Sequence, residues 1–181
     1  SAVVNIGGIT NITYMEKYNK IQSFDTGPGN CLIDQWIKRN TKLEFDNEGL
    51  FAKSGKVNEN VLRKFLEDPF YKKKLPKSLD VRDFSLENLN ELSLEDGSAT
   101  LSMLTVESIC MAINSFKNPP QKAFFAGGGR KNKFIFENIK KKIKCSTFLI
   151  DQFNINGDFV ESQAFAYLAI RSYLKKFISI P

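Results

Sequence analysis

Four short segments of the chain set glycine beside a carboxylate, an amide or a hydroxyl in patterns that suit a phosphorylated ligand. In Asp25-Thr26-Gly27-Pro28-Gly29-Asn30 a carboxylate follows an apolar strand and precedes a helix. Such a carboxylate, held in a stiff loop, is placed for base catalysis or for magnesium, and the helix N-terminus beyond it favours an anion. The plain alternative is that Asp25 caps a turn. Gly7-Gly8 stands between two strand-like runs, where bare amides can approach a phosphate closely. Asn11 and Thr13 add short polar groups nearby, and a simple hairpin turn is the alternative. In Phe125-Ala126-Gly127-Gly128-Gly129-Arg130-Lys131-Asn132 three glycines separate a buried strand from a helix. Neither the Walker spacing nor Gly-x-Gly-x-x-Gly occurs, so the adenosine end of a nucleotide is the remaining ligand reading, beside a turn made for packing. In Gly157-Asp158-Phe159-Val160-Glu161, Asp158 has the place of an N-cap and Glu161 that of its capping-box partner.

Composition narrows the chemistry. The 181 residues contain no histidine, which excludes a histidine base, a Ser-His-Asp triad and histidine-ligated zinc. The three cysteines, Cys31, Cys110 and Cys145, are far apart, have no metal-ligand spacing and fit a reducing compartment. No metal-ligating residues are assigned. No apolar run reaches the roughly 18 residues that cross a bilayer, and no signal peptide is visible, so the expected setting is cytoplasmic, with no membrane partner. The net charge of +6 comes mostly from lysine. Lys, Asn and Ile share A/T-rich codons, no nucleic-acid module surrounds Lys72-Lys73-Lys74 or Lys140-Lys141-Lys142, and the second run closes a helix where cations suit the dipole. Solvated faces, with no nucleic acid, are the reading.

The elements that must position these segments follow from periodicity. Residues 3–6, Gly7-Gly8 and residues 9–14 read as a hairpin, residues 20–24 as a third strand, and residues 25–30 as a loop because two glycines and a proline interrupt it. Asn30 is expected to cap a helix with Leu32, Ile33, Trp36 and Ile37 on one face. Val61, Leu62, Phe65 and Leu66 mark a short helix stopped by Pro69, followed by a lysine-rich loop to Pro76. Ser85 is placed to cap another short helix. The clearest helix starts at Asp96 or Ser98 and stops before Pro119-Pro120. Residues 123–126 and 146–150 read as strands, a helix follows the triple glycine, and a last helix runs from Asp158 to about Phe177. Three strands, then helices, then strand–turn–helix units predict an α/β domain with a mixed central sheet flanked by helices. A sheet that opens on an antiparallel hairpin and continues by crossovers is that of a ribonuclease-H-like lobe of an actin-like ATPase.

In this order the segments resemble the C-terminal half of the anhydro-N-acetylmuramic acid kinase family over nearly the whole chain. The match runs through Asn5-Ile6-Gly7-Gly8-Ile9-Thr10-Asn11, Phe24-Asp25-Thr26-Gly27-Pro28-Gly29-Asn30, Ile33-Asp34-Gln35-Trp36, Phe45-Asp46, Pro76-Lys77-Ser78, Gly127-Gly128-Gly129 with Asn132, and Gly157-Asp158 with Glu161. The resemblance implies ATP and Mg²⁺ as cofactors and 1,6-anhydro-N-acetylmuramic acid, a cell-wall sugar, as substrate. It implies hydrolysis of the anhydro bridge coupled to phosphorylation of O6. Asp25 takes the place of the family's general base, which activates the attacking water. Gly7, Gly8 and Asn11 take the phosphate site, with Thr26 and Gly27 nearby. Gly127, Gly128, Gly129 and Asn132 take the adenosine end, and Glu161 helps place the sugar.

Two departures matter. The family's first phosphate loop, of the type Gly-Thr-Ser-x-Asp-Gly, has no match in these residues, and Arg82 is displaced by one position from the arginine usual after Pro76-Lys77-Ser78. The expectation is therefore a single lobe over residues 1–181 that lacks the N-terminal lobe, is inactive without it and meets it on a separate or longer chain. An inactive remnant, or an actin-like nucleotide-binding or interaction module, is the alternative. An apolar face left open by the missing lobe also predicts self-association into a homo-oligomer.

Overall fold

Apolar residues alternate along Ala2–Ile6, so Ala2, Val4 and Ile6 share one buried face of a strand, β1. The structure, a computed structural model, describes residues 1–17, 20–80 and 83–178. β1 is followed by β2 (Ile9–Lys17) and β3 (Lys20–Pro28), and later by β4 (Lys122–Ala126) and β5 (Ser146–Leu149). The sheet order is β3-β2-β1-β4-β5. β3, β2 and β1 are antiparallel, whereas β4 runs parallel to β1 and β5 parallel to β4. The mixed sheet expected from the sequence is therefore present, with the hairpin at one side and the crossover strands at the other.

The helices are α1 (Cys31–Asn40), α2 (Leu50–Ser54), α3 (Glu59–Leu66), α4 (Pro69–Lys72), α5 (Leu94–Ser115), α6 (Lys133–Lys142) and α7 (Val160–Tyr173). α5 is the axis of the core. It is buried on nearly all sides, and its Leu101, Leu104, Ile109 and Ile113 join Val4, Ile6, Ile12 and Phe125 of the sheet in one apolar cluster. Three of its hydroxyls are accommodated locally, since Ser98, Thr100 and Ser108 each donate to the carbonyl four residues earlier, whereas the buried Ser102 hydroxyl has no partner among the described residues. Thr105 instead also donates to the carbonyls of Pro28 and Gly29 at 3.1 and 3.0 Å, which fixes the exit of β3. α1 presents Leu32, Ile33, Trp36 and Ile37 to the core, as its periodicity predicts. The Trp36 indole lies against Gly97 and donates to the Leu94 carbonyl at 3.0 Å, so α1 and α5 approach closely at a position where a larger residue has no room.

The structure corrects several boundaries. Residues 25–28 are not a loop: β3 continues through them to Pro28. β3 is an edge strand, where proline is tolerated because no ladder donor is needed on the open side, and a bulge at Thr26 absorbs the irregularity. Asn30 sits at the N-cap position of α1 without a side-chain cap bond. Pro69 opens α4 at its first turn rather than only ending α3, so the lysine-rich stretch is partly helical. Ser85 Oγ does accept the Glu87 N–H, but the element it starts is a single 3₁₀ turn. α5 begins at Leu94, capped by Ser93 Oγ accepting the Asp96 N–H. α7 begins at Val160 and ends at Tyr173.

α7 differs from every other long helix in burying no residue. Phe165, Tyr167, Ile170 and Tyr173 are each more than half exposed. The sheet face opposite α5 carries Phe124 and Phe148, stacked with centroids 5.6 Å apart, with the half-exposed Phe153 edge-on to both. Among the described residues no helix is long and apolar enough to cross a membrane.

Candidate functional site

Strand register gathers the first set of polar residues. Asn5 of β1 pairs with Asn11 of β2, and Asn11 with Asp25 of β3, so three half-buried polar side chains stand in a row on one face of the sheet. The Asp25 backbone N–H donates to the Lys77 carbonyl at 2.9 Å, and Asp25 Oδ2 accepts the Leu79 N–H at 2.9 Å. One carboxylate oxygen is thus anchored by the segment at 77–79. The other has no hydrogen-bond partner among the described residues. A carboxylate held this way has a fixed orientation and a free lone-pair edge, the geometry that a general base needs. Arg82 lies outside the described residues.

The neighbours of Asp25 point elsewhere. Thr26 is buried and donates to the Thr10 carbonyl at 3.3 Å. Gly27 is pressed against Ser108 of α5, whose hydroxyl bonds Tyr71 Oη at 2.8 Å, so this glycine serves packing. The Gly7 carbonyl accepts the Asn30 N–H at 2.8 Å, and the Gly8 carbonyl accepts those of Gly29 and Cys31 at 2.9 and 3.1 Å. Those amides at the start of α1, read from the sequence as open to an anion, are satisfied within the protein. Gly8 itself is exposed.

The triple glycine divides into three jobs. Gly127 has φ +79°, a left-handed backbone that glycine adopts without strain, and sits against Asn5 and the Ile6 carbonyl. Gly129 packs on the Ile6 side chain with no room for a Cβ. Only Gly128 borders open space, its nearest neighbour for an added Cβ being Asn30 Nδ2 at 3.9 Å. Asn30 also reaches the Ile6 carbonyl with its side-chain amide, at 3.5 Å, so it bridges the two glycine turns. Asn132 is buried and caps α6 by accepting the Ile135 N–H at 3.1 Å.

Gly128, Gly129 and Asn132 form one wall of a cavity of about 410 Å³. Asn30, Ile33 and Asp34 of α1 form a second wall, and residues 45–48 a third. Its charges are committed except for one. Asp46 is buried and accepts the N–H groups of Phe51 and Ala52. Glu48 pairs with Lys133 at 2.6 Å, and Lys131 with Asp158 at 2.6 Å. The Asp34 carboxylate makes no hydrogen bond or ion pair among the described residues, and burial pushes it up to about 6. Phe45 offers a 56% exposed ring at the rim. An aromatic face, an open glycine backbone and a lone carboxylate suit a flat, neutral, donor-bearing group, and they suit a phosphate poorly.

Arg130 ties this wall to the end of the chain. Its buried guanidinium takes both oxygens of Asp151 at 2.7 Å, Asp158 Oδ1 at 2.7 Å and the Gly127 carbonyl at 2.9 Å. The Gly127 N–H donates in turn to the Gly157 carbonyl at 3.0 Å. Hydrogen bonds from Arg130 hold the carboxyls of Asp151 and Asp158 below the usual range. Asp158 is therefore an ion-pair partner and not the cap of α7; Phe159 holds that position without a side-chain bond, and the capping box with Glu161 does not form. Glu161 stands exposed on the first turn of α7 with no partner among the described residues.

The structure thus brings Gly128, Gly129 and Asn132 together at one cavity and places Asp25 in a row with Asn11, while Thr26 and Gly27 serve the interior. Sequence reasoning missed Asn30 as a bridge and Asp34, Phe45 and Asp46 as lining. The signal for two of them was available: Asn30, Ile33 and Asp34 have the i, i+3, i+4 spacing of one helical face.

A model of the anhydro-N-acetylmuramic acid kinase family matches residues 1–177. The chain is 43% identical over its whole length to an anhydro-N-acetylmuramic acid kinase of Pelagibacter ubique and 41% identical over 99% of its length to one of Zymomonas mobilis. It covers 51% and 50% of those proteins, so it spans about half the length of the curated relatives it matches. Among solved structures it is similar to the activator of the 2-hydroxyisocaproyl-CoA dehydratase from Clostridium difficile with bound ADPNP. There the TM-score is 0.59 at 12% identity, over 99% of this chain and 64% of that one. That likeness shows the ribonuclease-H-like fold of actin-like ATPases.

Proposed function

Because the chain belongs to the anhydro-N-acetylmuramic acid kinase family, we propose that it is the C-terminal lobe of an ATP-dependent kinase of that sugar. In this reading the whole protein opens the 1,6-anhydro bridge and phosphorylates O6 in cytoplasmic cell-wall recycling. The observation that carries it is the Asp25 carboxylate, anchored through one oxygen by Leu79 and open at the other. With no histidine in the chain, this is the oriented base of the lobe. It accepts the proton of the water that attacks the anomeric carbon. Asn11, beside it in register, donates to the ligand's oxygens, and the exposed Gly8 lets the phosphate end come near. Glu161 helps place the sugar.

The cavity beside Gly128 holds the nucleoside end of ATP, with Phe45 against the base. Bound ATP supplies the phosphoryl group, and Mg²⁺ neutralises its charge. Mg²⁺ enters with the phosphates, which with water supply most of its ligands.

The partner is the N-terminal lobe that makes up the rest of the relatives' length. Its contact is α7, an apolar helix too short to persist in water unless covered. Mixing this chain with the N-terminal half of the Pelagibacter ubique relative tests the reading. ATP-dependent conversion of anhydro-N-acetylmuramic acid is expected only in the mixture and is lost with Asp25→Asn. A stable complex that turns over no sugar, or turnover that survives Asp25→Asn, overturns it.

A further inference from the structure

The cavity beside Gly128 contains four acidic or basic side chains, of which three are already engaged: Asp46 by two backbone amides, Glu48 by Lys133, Lys131 by Asp158. Among the described residues the Asp34 carboxylate alone of these four has no hydrogen-bond or ion-pair partner, and the residue is half-buried in the wall formed by α1. An acceptor withdrawn from water without a donor is unfavourable unless a ligand supplies one. We propose that Asp34 is the specificity-determining residue of this cavity, accepting a hydrogen bond from a hydroxyl or amine donor of the bound nucleoside while the Phe45 ring stacks on its base. The inference rests on the nucleoside reading of the cavity.

Several features support a ligand role over an idle surface acid. The cavity that Asp34 lines is also lined by Gly128, whose backbone borders open space. Lys38, which acts on Asp34 through its charge, makes its ion pair with Glu44 at 2.6 Å. Burial raises the Asp34 carboxyl to about 6, with Lys38 lowering and Glu44 raising it further. The residue is therefore kept in a state that a donor would relieve.

Calorimetric titration of the full 181-residue chain with adenosine, 2′-deoxyadenosine, 3′-deoxyadenosine and inosine tests this. One of the three analogues lacks the donor that Asp34 reads, and it should bind the wild type about tenfold to a hundredfold more weakly than adenosine, the range set by a hydrogen bond to a charged group. Asp34→Asn should weaken adenosine by a similar factor and erase the preference between adenosine and that analogue. Wild-type affinity should also fall as pH drops through about 6, with Asp46, Glu48 and Lys131 held in their pairs. Equal binding of all four ligands, or an unchanged ranking in Asp34→Asn, overturns the role of Asp34 and leaves the cavity as a nucleoside site. Adenosine binding that is absent, or indifferent to Gly128→Leu, overturns the nucleoside reading and the inference with it.

Discussion

Asp25 and Leu79 are joined across 54 residues by one hydrogen bond of 2.9 Å from the Leu79 N–H to Asp25 Oδ2. The same strand residue donates its own N–H to the Lys77 carbonyl, so the segment after Pro76 grips Asp25 from both ends of its peptide and side chain. The base proposed for the reaction thus depends for its direction on backbone that is neither strand nor helix.

Asparagine at position 25 keeps an oxygen for Leu79 but is no base. Asp25→Asn should therefore leave the thermal midpoint within a few degrees while lowering turnover of the reconstituted enzyme by ~10²–10⁴-fold. Asp25→Ala should lower both, since the 77–79 segment loses its anchor. Melting curves followed by fluorescence of Trp36, the single tryptophan, set beside activity of the mixed lobes, separate the two effects.

Glycines one residue apart should behave oppositely. Gly129→Ala forces a methyl into Ile6 and should destabilise the lobe by about 1–3 kcal/mol, the usual range for overpacking. Gly128→Ala meets open space, so urea unfolding should be nearly unchanged while adenosine binding weakens. Equal stability loss in both would contradict the division of labour in the turn.

Arg130 is the only buried guanidinium among the described residues, and it answers two carboxylates. Arg130→Met should be destabilising by about 1–3 kcal/mol, because it removes the charge-assisted bonds of a buried guanidinium while leaving Asp151 and Asp158 to water. The pH dependence has a definite sign. Asp151 and Asp158 have lowered carboxyls in the folded state, so their stabilisation is complete above their ordinary value of 3.8 and disappears as pH falls below it. Denaturant midpoints measured down an acid series should fall steeply in the wild type and more shallowly in Arg130→Met.

Asp34 has the opposite sign. Its carboxyl is raised from 3.8 to about 6, so the folded state binds the proton more tightly and stability declines as pH rises from about 4 to 6. The burden at neutral pH is up to about 3 kcal/mol, reduced by whatever water reaches this half-buried group. Asp34→Asn should raise the urea midpoint at neutral pH and flatten this part of the profile. A gain in stability together with a loss of adenosine affinity is the pattern of a residue kept for binding.

The hairpin was legible because Gly7-Gly8 interrupts two alternating runs, and α1 because Leu32, Ile33, Trp36 and Ile37 repeat at helical spacing. The tail of β3 was not, since Pro28 and its flanking glycines carry the local signs of a loop. Only the edge position of the strand, a tertiary fact, lets proline stay in register. Asp158 shows a similar limit: next to a helix start it has the residue type and place of a cap, but a buried arginine 28 residues away outcompetes the local amides for its carboxylate. Asp34 looks like one more charge on the wet side of α1 until residues 45–48 and Gly128 close around it. Local signals specify elements well; which polar group meets which ligand is settled by contacts that no window of sequence contains.

The link between Gly157 and Gly127 makes α7 a lever. Its long arm is the helix from Val160 to Tyr173, which buries no residue against the lobe that carries it. Its fulcrum is Arg130, clamped between Asp151 and Asp158, and its short arm is the backbone bond that ends on the glycine turn at the nucleoside cavity. Between the first turn of α7 and the glycine turn at the cavity stand only the Gly157–Gly127 backbone bond and the Asp158–Arg130 pair, so the apolar helix and the cavity mouth share one short set of contacts.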